Sequence, residues 1–71
     1  MSIKPGIYTH FKGNRYEVIG TPTHSETLEE MVLYRPLDQN GTLWVRPRVM
    51  WDELVEHNGK FVRRFAHEED L

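Results

Sequence analysis

Short alternating runs of apolar and polar residues, separated by turn residues, pattern most of this chain. After the turn signal Pro5-Gly6, residues 6–11 read as a first strand with Ile7 and Phe11 facing inward. Lys12-Gly13-Asn14 is a tight turn, and Arg15 to Gly20 alternates again, with Tyr16 and Val18 on one face and Arg15 and Glu17 on the other. Gly20 and Pro22 interrupt the ladder, which predicts a bulge or an edge. Residues 24–30 are polar and have no clear period, so they read as a loop with at most one helical turn. Met31 to Leu37 is apolar until Arg35, as in a central strand.

A turn containing Asn40-Gly41 leads to a return strand, Leu43 to Arg46. Its alternation sets Leu43 and Val45 on one face and Trp44 and Arg46 on the other. Pro47 stops the ladder and opens a helical turn within about residues 47–54, with Met50, Trp51 and Leu54 at helical spacing. Asn58-Gly59 marks a last hairpin, flanked by Val55 to His57 and by Lys60 to Phe65. Residues 66–71 are acidic and unpatterned, which predicts a disordered tail after a single domain spanning residues 1–65. The expected fold is mostly β: a small, strongly bent antiparallel sheet or SH3-like barrel of five to six short strands with one short helical turn.

Composition narrows this picture. The sequence has 71 residues and no cysteine, so neither a disulfide nor a thiolate metal site supports the thin core of so small a chain. Formal net charge is −2 with both signs interspersed, so no bulk basic footprint for nucleic acid is visible, although a local basic patch remains open. There is no long apolar run and no apolar signal-peptide core, which points to a cytoplasmic protein away from membranes. His10, His24, His57 and His67 are scattered without helical i, i+4 pairing, so no metal and no cofactor is expected.

The ordered motifs resemble a known family. Gly6-x-Tyr8-x-His10-Phe11-Lys12-Gly13, then His24-Ser25-Glu26-Thr27-x-Glu29, then Trp44-Val45-Arg46-Pro47 look like short bacterial proteins of the domain-of-unknown-function family numbered sixteen fifty-three, over about residues 5–65. The resemblance implies a small bacterial cytoplasmic protein and no assigned activity. Pro22, Thr23 and Trp51 depart mildly from its pattern.

The candidate site residues are His24, Ser25, Glu26, Thr27, Glu29, Tyr34, Trp44 and Arg46. Two aromatic rings and a guanidinium brought together by one hairpin can stack a planar ligand and hold an anion. This favours a non-catalytic binding module for a nucleotide, a nucleic-acid segment or a peptide. The bland alternative makes Tyr34 and Trp44 core rings and Arg46 a surface ion-pair partner of Glu17, Glu29 or Glu30. A second reading is a hydrolase-type enzyme with His24 as base beside Glu26 or Glu29, although adjacent extended residues point apart. A third is a structural or interaction domain, including a weak homo-oligomer, acting through Trp51 and the sheet edge near Pro22. Which face of Leu43 to Arg46 points inward separates these readings.

Overall fold

Gly13, at φ +104°, lets the chain reverse after β1 (Gly6–His10) and return as β2 (Arg15–Gly20). The His10 N–H donates to the Asn14 carbonyl (2.7 Å) and the Gly13 N–H to the His10 carbonyl (2.7 Å), closing the first hairpin. The computed structural model describes residues 3–70. β2 pairs antiparallel with β3 (Met31–Pro36), and the register slips between Val18 and Gly20, the bulge that Gly20 and Pro22 predicted. β3 pairs with β4 (Trp44–Pro47), which runs into a single helical turn, α1 (Arg48–Trp51). The turn lies within the expected 47–54 segment.

Asn58 (φ +53°) and Gly59 (φ +78°) form a two-residue turn joining β5 (Leu54–His57) to β6 (Lys60–Arg63). The expected strand through Phe65 breaks at Arg64. Its N–H donates to the Glu53 carbonyl (3.1 Å), and its own carbonyl accepts from the Phe11 N–H (3.0 Å). These long-range bonds bend the chain out of one sheet and into the other. Phe61 consequently stays exposed, whereas Phe65 enters the core through β7 (Phe65–His67), which pairs with β1.

Residues 66–70, expected to be a disordered tail, take up regular structure. Ala66 and His67 pair with Thr9 and Tyr8, and Glu68–Asp70 forms a 3₁₀ turn. Leu71 lies outside the described residues. The acidic pattern missed this because a buried histidine holds the segment: the Glu69 N–H donates to His67 Nδ1 (3.1 Å), leaving Nε2 to donate to the Pro5 carbonyl (3.1 Å).

The main sheet has the order β4-β3-β2-β1-β7, beside the separate β5-β6 hairpin. β4 and β7 are its two edges, so the fold is the mostly-β bent antiparallel sheet of the expectation, with seven short strands and without closure into a barrel. No helix among the described residues is long and apolar enough to cross a membrane. One sheet face carries the core: Tyr8, Val18, Val32, Tyr34 and Phe65, capped by Trp51 from α1. On β1 this reverses the expected facing. Tyr8 is buried, while Ile7, opposite Glu17, lies on the other face. On α1 no apolar stripe forms: one turn carries only Trp51 inward, and Met50 and Leu54 stay exposed. Trp51 stacks on Phe65 with ring centroids 3.7 Å apart and planes 2° from parallel.

Candidate functional site

Register decides which candidate residues meet. Tyr34 lies directly opposite both Val18 on β2 and Trp44 on β4, so all three side chains share the core face. Arg46 lies opposite the fully buried Val32 and joins the same face. Trp44 and Arg46, not Leu43 and Val45, therefore point toward the core side. Because β4 is an edge strand, Trp44 is still 42% exposed. The structure thus combines the two alternatives: Tyr34 is core at 3% exposure, and Trp44 stands at the rim of that core.

Neighbouring rings extend the set into a row. Trp44 lies 6.3 Å from Tyr16, and Tyr16 lies 6.5 Å from His10, centroid to centroid. Phe65 sits beneath, 5.8 Å from Tyr16 and 5.0 Å from His10. The Arg46 guanidinium lies over the Phe65 ring at 5.4 Å, and its Nε donates to the Tyr34 hydroxyl at 3.4 Å. Arg46 has no carboxylate partner among the described residues, unlike Arg15, Arg35, Arg48 and Arg64. The sequence-level alternative, Arg46 paired with Glu17, Glu29 or Glu30, is not formed. Glu17 pairs with Arg35 (2.8 Å) and Glu30 with Arg48 (2.6 Å).

His10 senses this uncompensated charge. Burial lowers its pKa from 6.5, and the positive charges of Arg64, Arg46 and Lys12 lower it further. The Lys12 N–H donates to His10 Nδ1 (3.1 Å), a bond that requires an unprotonated Nδ1. Between the lowered value and 6.5 the unfolded chain binds a proton that the folded one does not, so acidification favours unfolding. The stability contributed by this group is complete above about pH 6.5 and is lost as pH falls through the lowered folded-state value. Urea denaturation across that window should show this slope, and His10→Asn should flatten it. In addition, Arg46→Gln should raise the NMR-titrated His10 pKa toward its ordinary value. An unmoved value would mean that Arg46 does not act on the ring.

The polar loop is a separate structure. His24 Nδ1 accepts the N–H groups of Glu26 (3.2 Å) and Thr27 (3.3 Å), so the imidazole caps its own turn. Thr27 Oγ1 accepts the Glu29 N–H (3.2 Å), and the Leu28 N–H donates to the His24 carbonyl (2.9 Å). Among the described residues, neither Glu26 nor Glu29 offers its carboxylate to the imidazole, and Ser25 has no hydrogen bond to it. The base-and-orienter pairing of a hydrolase is thus not formed here. The loop also stands away from Trp44: Tyr34, opposite Trp44, lies five residue steps from Glu29, about 16 Å at 3.3 Å per residue. The candidates accordingly divide into His24, Ser25, Glu26, Thr27 and Glu29 on one side, and Tyr34, Trp44 and Arg46 on the other.

Leu28, at φ +63° and 76% exposed, holds a left-handed conformation without burying its side chain. Leu28→Gly is expected to stabilise the protein by about 0.5–1 kcal/mol, the left-handed strain of about 1–2 kcal/mol that it relieves less the glycine entropy cost of about 0.5–1 kcal/mol, read as a higher urea midpoint. A lower midpoint would show that the exposed side chain contributes more than its backbone costs.

Two concave regions lie elsewhere. One, between the β5-β6 hairpin and the outer sheet face, is lined by Thr9, His10, Phe11, His57, Val62 and Ala66. The other, beside α1, has Tyr8, Trp51 and His67 in its floor and Lys4, Arg48 and Arg63 around its rim. Trp51 is 2% exposed, which removes it from the expected interaction surface: stacking on Phe65 consumes the ring. Among the described residues no three His, Asp or Glu side chains converge as a metal-binding group.

Sequence reasoning missed His10, Tyr16 and Phe65 as members of the ring row. Tyr16 alone was legible, since its alternation with Val18 sets it on the core face. His10 and Phe65 lie opposite each other on β1 and β7, a pairing that depends on the strand switch at Arg64.

Comparison with known proteins supplies a family and no chemistry. The family described as "Protein of unknown function (DUF1653)" matches residues 6–67. A crystal structure of a protein of that family from Bordetella bronchiseptica is similar, with 31% sequence identity and a TM-score of 0.82, over 92% of this chain and 86% of that chain. No curated protein matches the chain.

Proposed function

From the premise that this chain belongs to the DUF1653 family of unknown function, we propose that it is a small non-catalytic binding module for a planar, anionic ligand. The observation that carries the reading is Arg46. It is a guanidinium without a carboxylate partner among the described residues, held over Phe65 and beside the exposed Trp44 ring. A stacking surface next to an uncompensated cation suits a ligand with a flat ring and a negative group. Lys12 likewise has no carboxylate partner among the described residues, and its charge, with those of Arg46 and Arg64, reaches His10 at the same end. The reading extends to a bacterial, cytoplasmic protein, in keeping with the bacterial source of the similar crystal structure and with a chain free of cysteine.

The test is an NMR titration with nucleoside monophosphates, following the Trp44 indole N–H and the Arg46 Nε–H. Saturable shifts confined to Trp44, Tyr16, His10 and Arg46 are expected, and Arg46→Gln should weaken them. Unmoved resonances with every planar anion offered would overturn the reading.

A further inference from the structure

We infer that the ligand of this face is single-stranded nucleic acid, with two or three successive bases on the ring row and their phosphates along Arg46, Arg64 and Lys12. The inference rests on the planar-anion reading above and adds the ligand's class.

The extent of the platform is the first argument. Trp44, Tyr16 and His10 stand on β4, β2 and β1, so the row crosses the sheet instead of surrounding one point. Its centroid steps of 6.3 and 6.5 Å give a path longer than a single base needs. Small ligands usually occupy enclosed clefts. His10 reaches the edge of one of the two concave regions described above, while Trp44, Tyr16 and Arg46 line neither. The three rings lie along the rim of the core on one sheet face, Trp44 exposed and Tyr16 and His10 half-buried, and aromatic side chains on a sheet are how several single-strand binders stack consecutive bases.

Charge is the second argument. The chain is acidic overall, with a net charge of −2, so a polyanion can be held only where cations lack partners. Four of the nine Lys and Arg side chains have no carboxylate partner among the described residues: Lys12, Arg46, Lys60 and Arg63. Two of these, Lys12 and Arg46, act on His10 at the row, together with Arg64. Arg64 pairs with Glu53 through one terminal nitrogen and keeps a buried Nε with no hydrogen-bond partner. Arg46 lies over Phe65 at the row, and the Lys12 ammonium lies 5.7 Å from the centroid of Phe11, the ring next to His10, so cations stand beside the rings as they must if bases stack while the backbone passes alongside.

Third, His10 offers a polar edge in the row. With Nδ1 accepting from Lys12, Nε2 of the neutral ring carries the proton and can donate to a base or a phosphate.

The experiment uses the full chain and measures binding by fluorescence anisotropy with uridine monophosphate, tri- and hexauridylate, their thymidylate counterparts, and inorganic polyphosphate. Triuridylate should bind at least tenfold more tightly than the monophosphate, because each stacked base contributes about 1–3 kcal/mol, or roughly 5- to 150-fold. The hexamer should add little beyond the trimer. Two or three phosphate contacts predict a slope of log K against log salt of about −1.4 to −2.1. Trp44→Ala should weaken triuridylate at least fivefold. Lys12→Gln, an exposed change that gives up the ammonium's 5.7 Å approach to the Phe11 ring, should make the slope shallower by about 0.7. The thymidylate arm tells RNA from DNA, and either one binding supports the inference. Equal affinity for the monophosphate and the trimer overturns it while the planar-anion reading stands. Polyphosphate binding as tightly as the trimer also overturns it, because the rings would then contribute nothing. If neither oligomer nor any planar anion binds, both proposals fall together.

Discussion

Trp51→Ala is expected to unfold the protein at room temperature. The ring stacks on Phe65 at 3.7 Å and lies edge-on to Tyr34 (5.0 Å) and Tyr8 (5.4 Å), so it touches three of the five other buried hydrophobic side chains. Removing a buried tryptophan costs about 3–5 kcal/mol through lost transfer energy and the cavity left behind. A single core in a chain this short supplies roughly 3–5 kcal/mol of net stability, so the two magnitudes meet. Four of the six buried hydrophobics are aromatic rings, and the aliphatic members, Val18, Val32 and the partly buried Ile3 beside them, are each smaller than the indole removed. Far-UV circular dichroism with urea denaturation checks this. A cooperative transition displaced by less than about 1.5 kcal/mol would show that α1 is an accessory to the fold. Trp44→Ala offers the contrast. At 42% exposure on an edge strand it should stay folded, and this keeps the binding tests interpretable.

Gly6→Ala is the second large effect, about 2–6 kcal/mol of destabilisation. Gly6 has φ +124°, where a side chain brings about 1–3 kcal/mol of backbone strain. A Cβ there would also lie 2.9 Å from His67 Nε2, the atom bonded to the Pro5 carbonyl. The imidazole would have to move, leaving buried polar groups unpaired at about 1–3 kcal/mol. Because His67 pairs across to Tyr8, the damage should appear as faster amide exchange along β7 and β1. Gly20→Ala is the control: a Cβ added there would meet no atom within 4 Å, so that change should be neutral or mildly stabilising. Equal losses at both positions would refute the role assigned to Gly6.

The two effects converge on β7, and β7 is also where the sequence was least readable. Residues 66–70 carry no apolar alternation, yet His67 is buried there, two residues after the buried Phe65. The signal is absent because the interactions holding them lie far away in sequence. Pro5 binds His67, Trp51 stacks on Phe65, and Arg15 clamps Glu68 (2.7 Å). The loop at His24 was opaque for another reason. A histidine ring capping its own turn leaves the same polar, unperiodic pattern as a ligand-binding loop, and only the distances to the Glu26 and Thr27 amides separate the two.

Whatever short-range chemistry controls was already legible in the chain. The turns at Lys12-Gly13-Asn14 and Asn58-Gly59, the bulge before Pro22, the helical turn after Pro47, and the shared face of Trp44 and Arg46 all follow from the backbone preferences of a few residues and the period of two along a strand. Long-range packing settled which face is inward, where the chain changes sheets, and that Trp44 stands half-exposed beside Tyr16 and His10. Alternation names the two faces of a strand without ranking them. The ranking comes from what lands on the sheet, here Trp51 and Phe65, and their arrival depends on contacts between residues far apart in the chain.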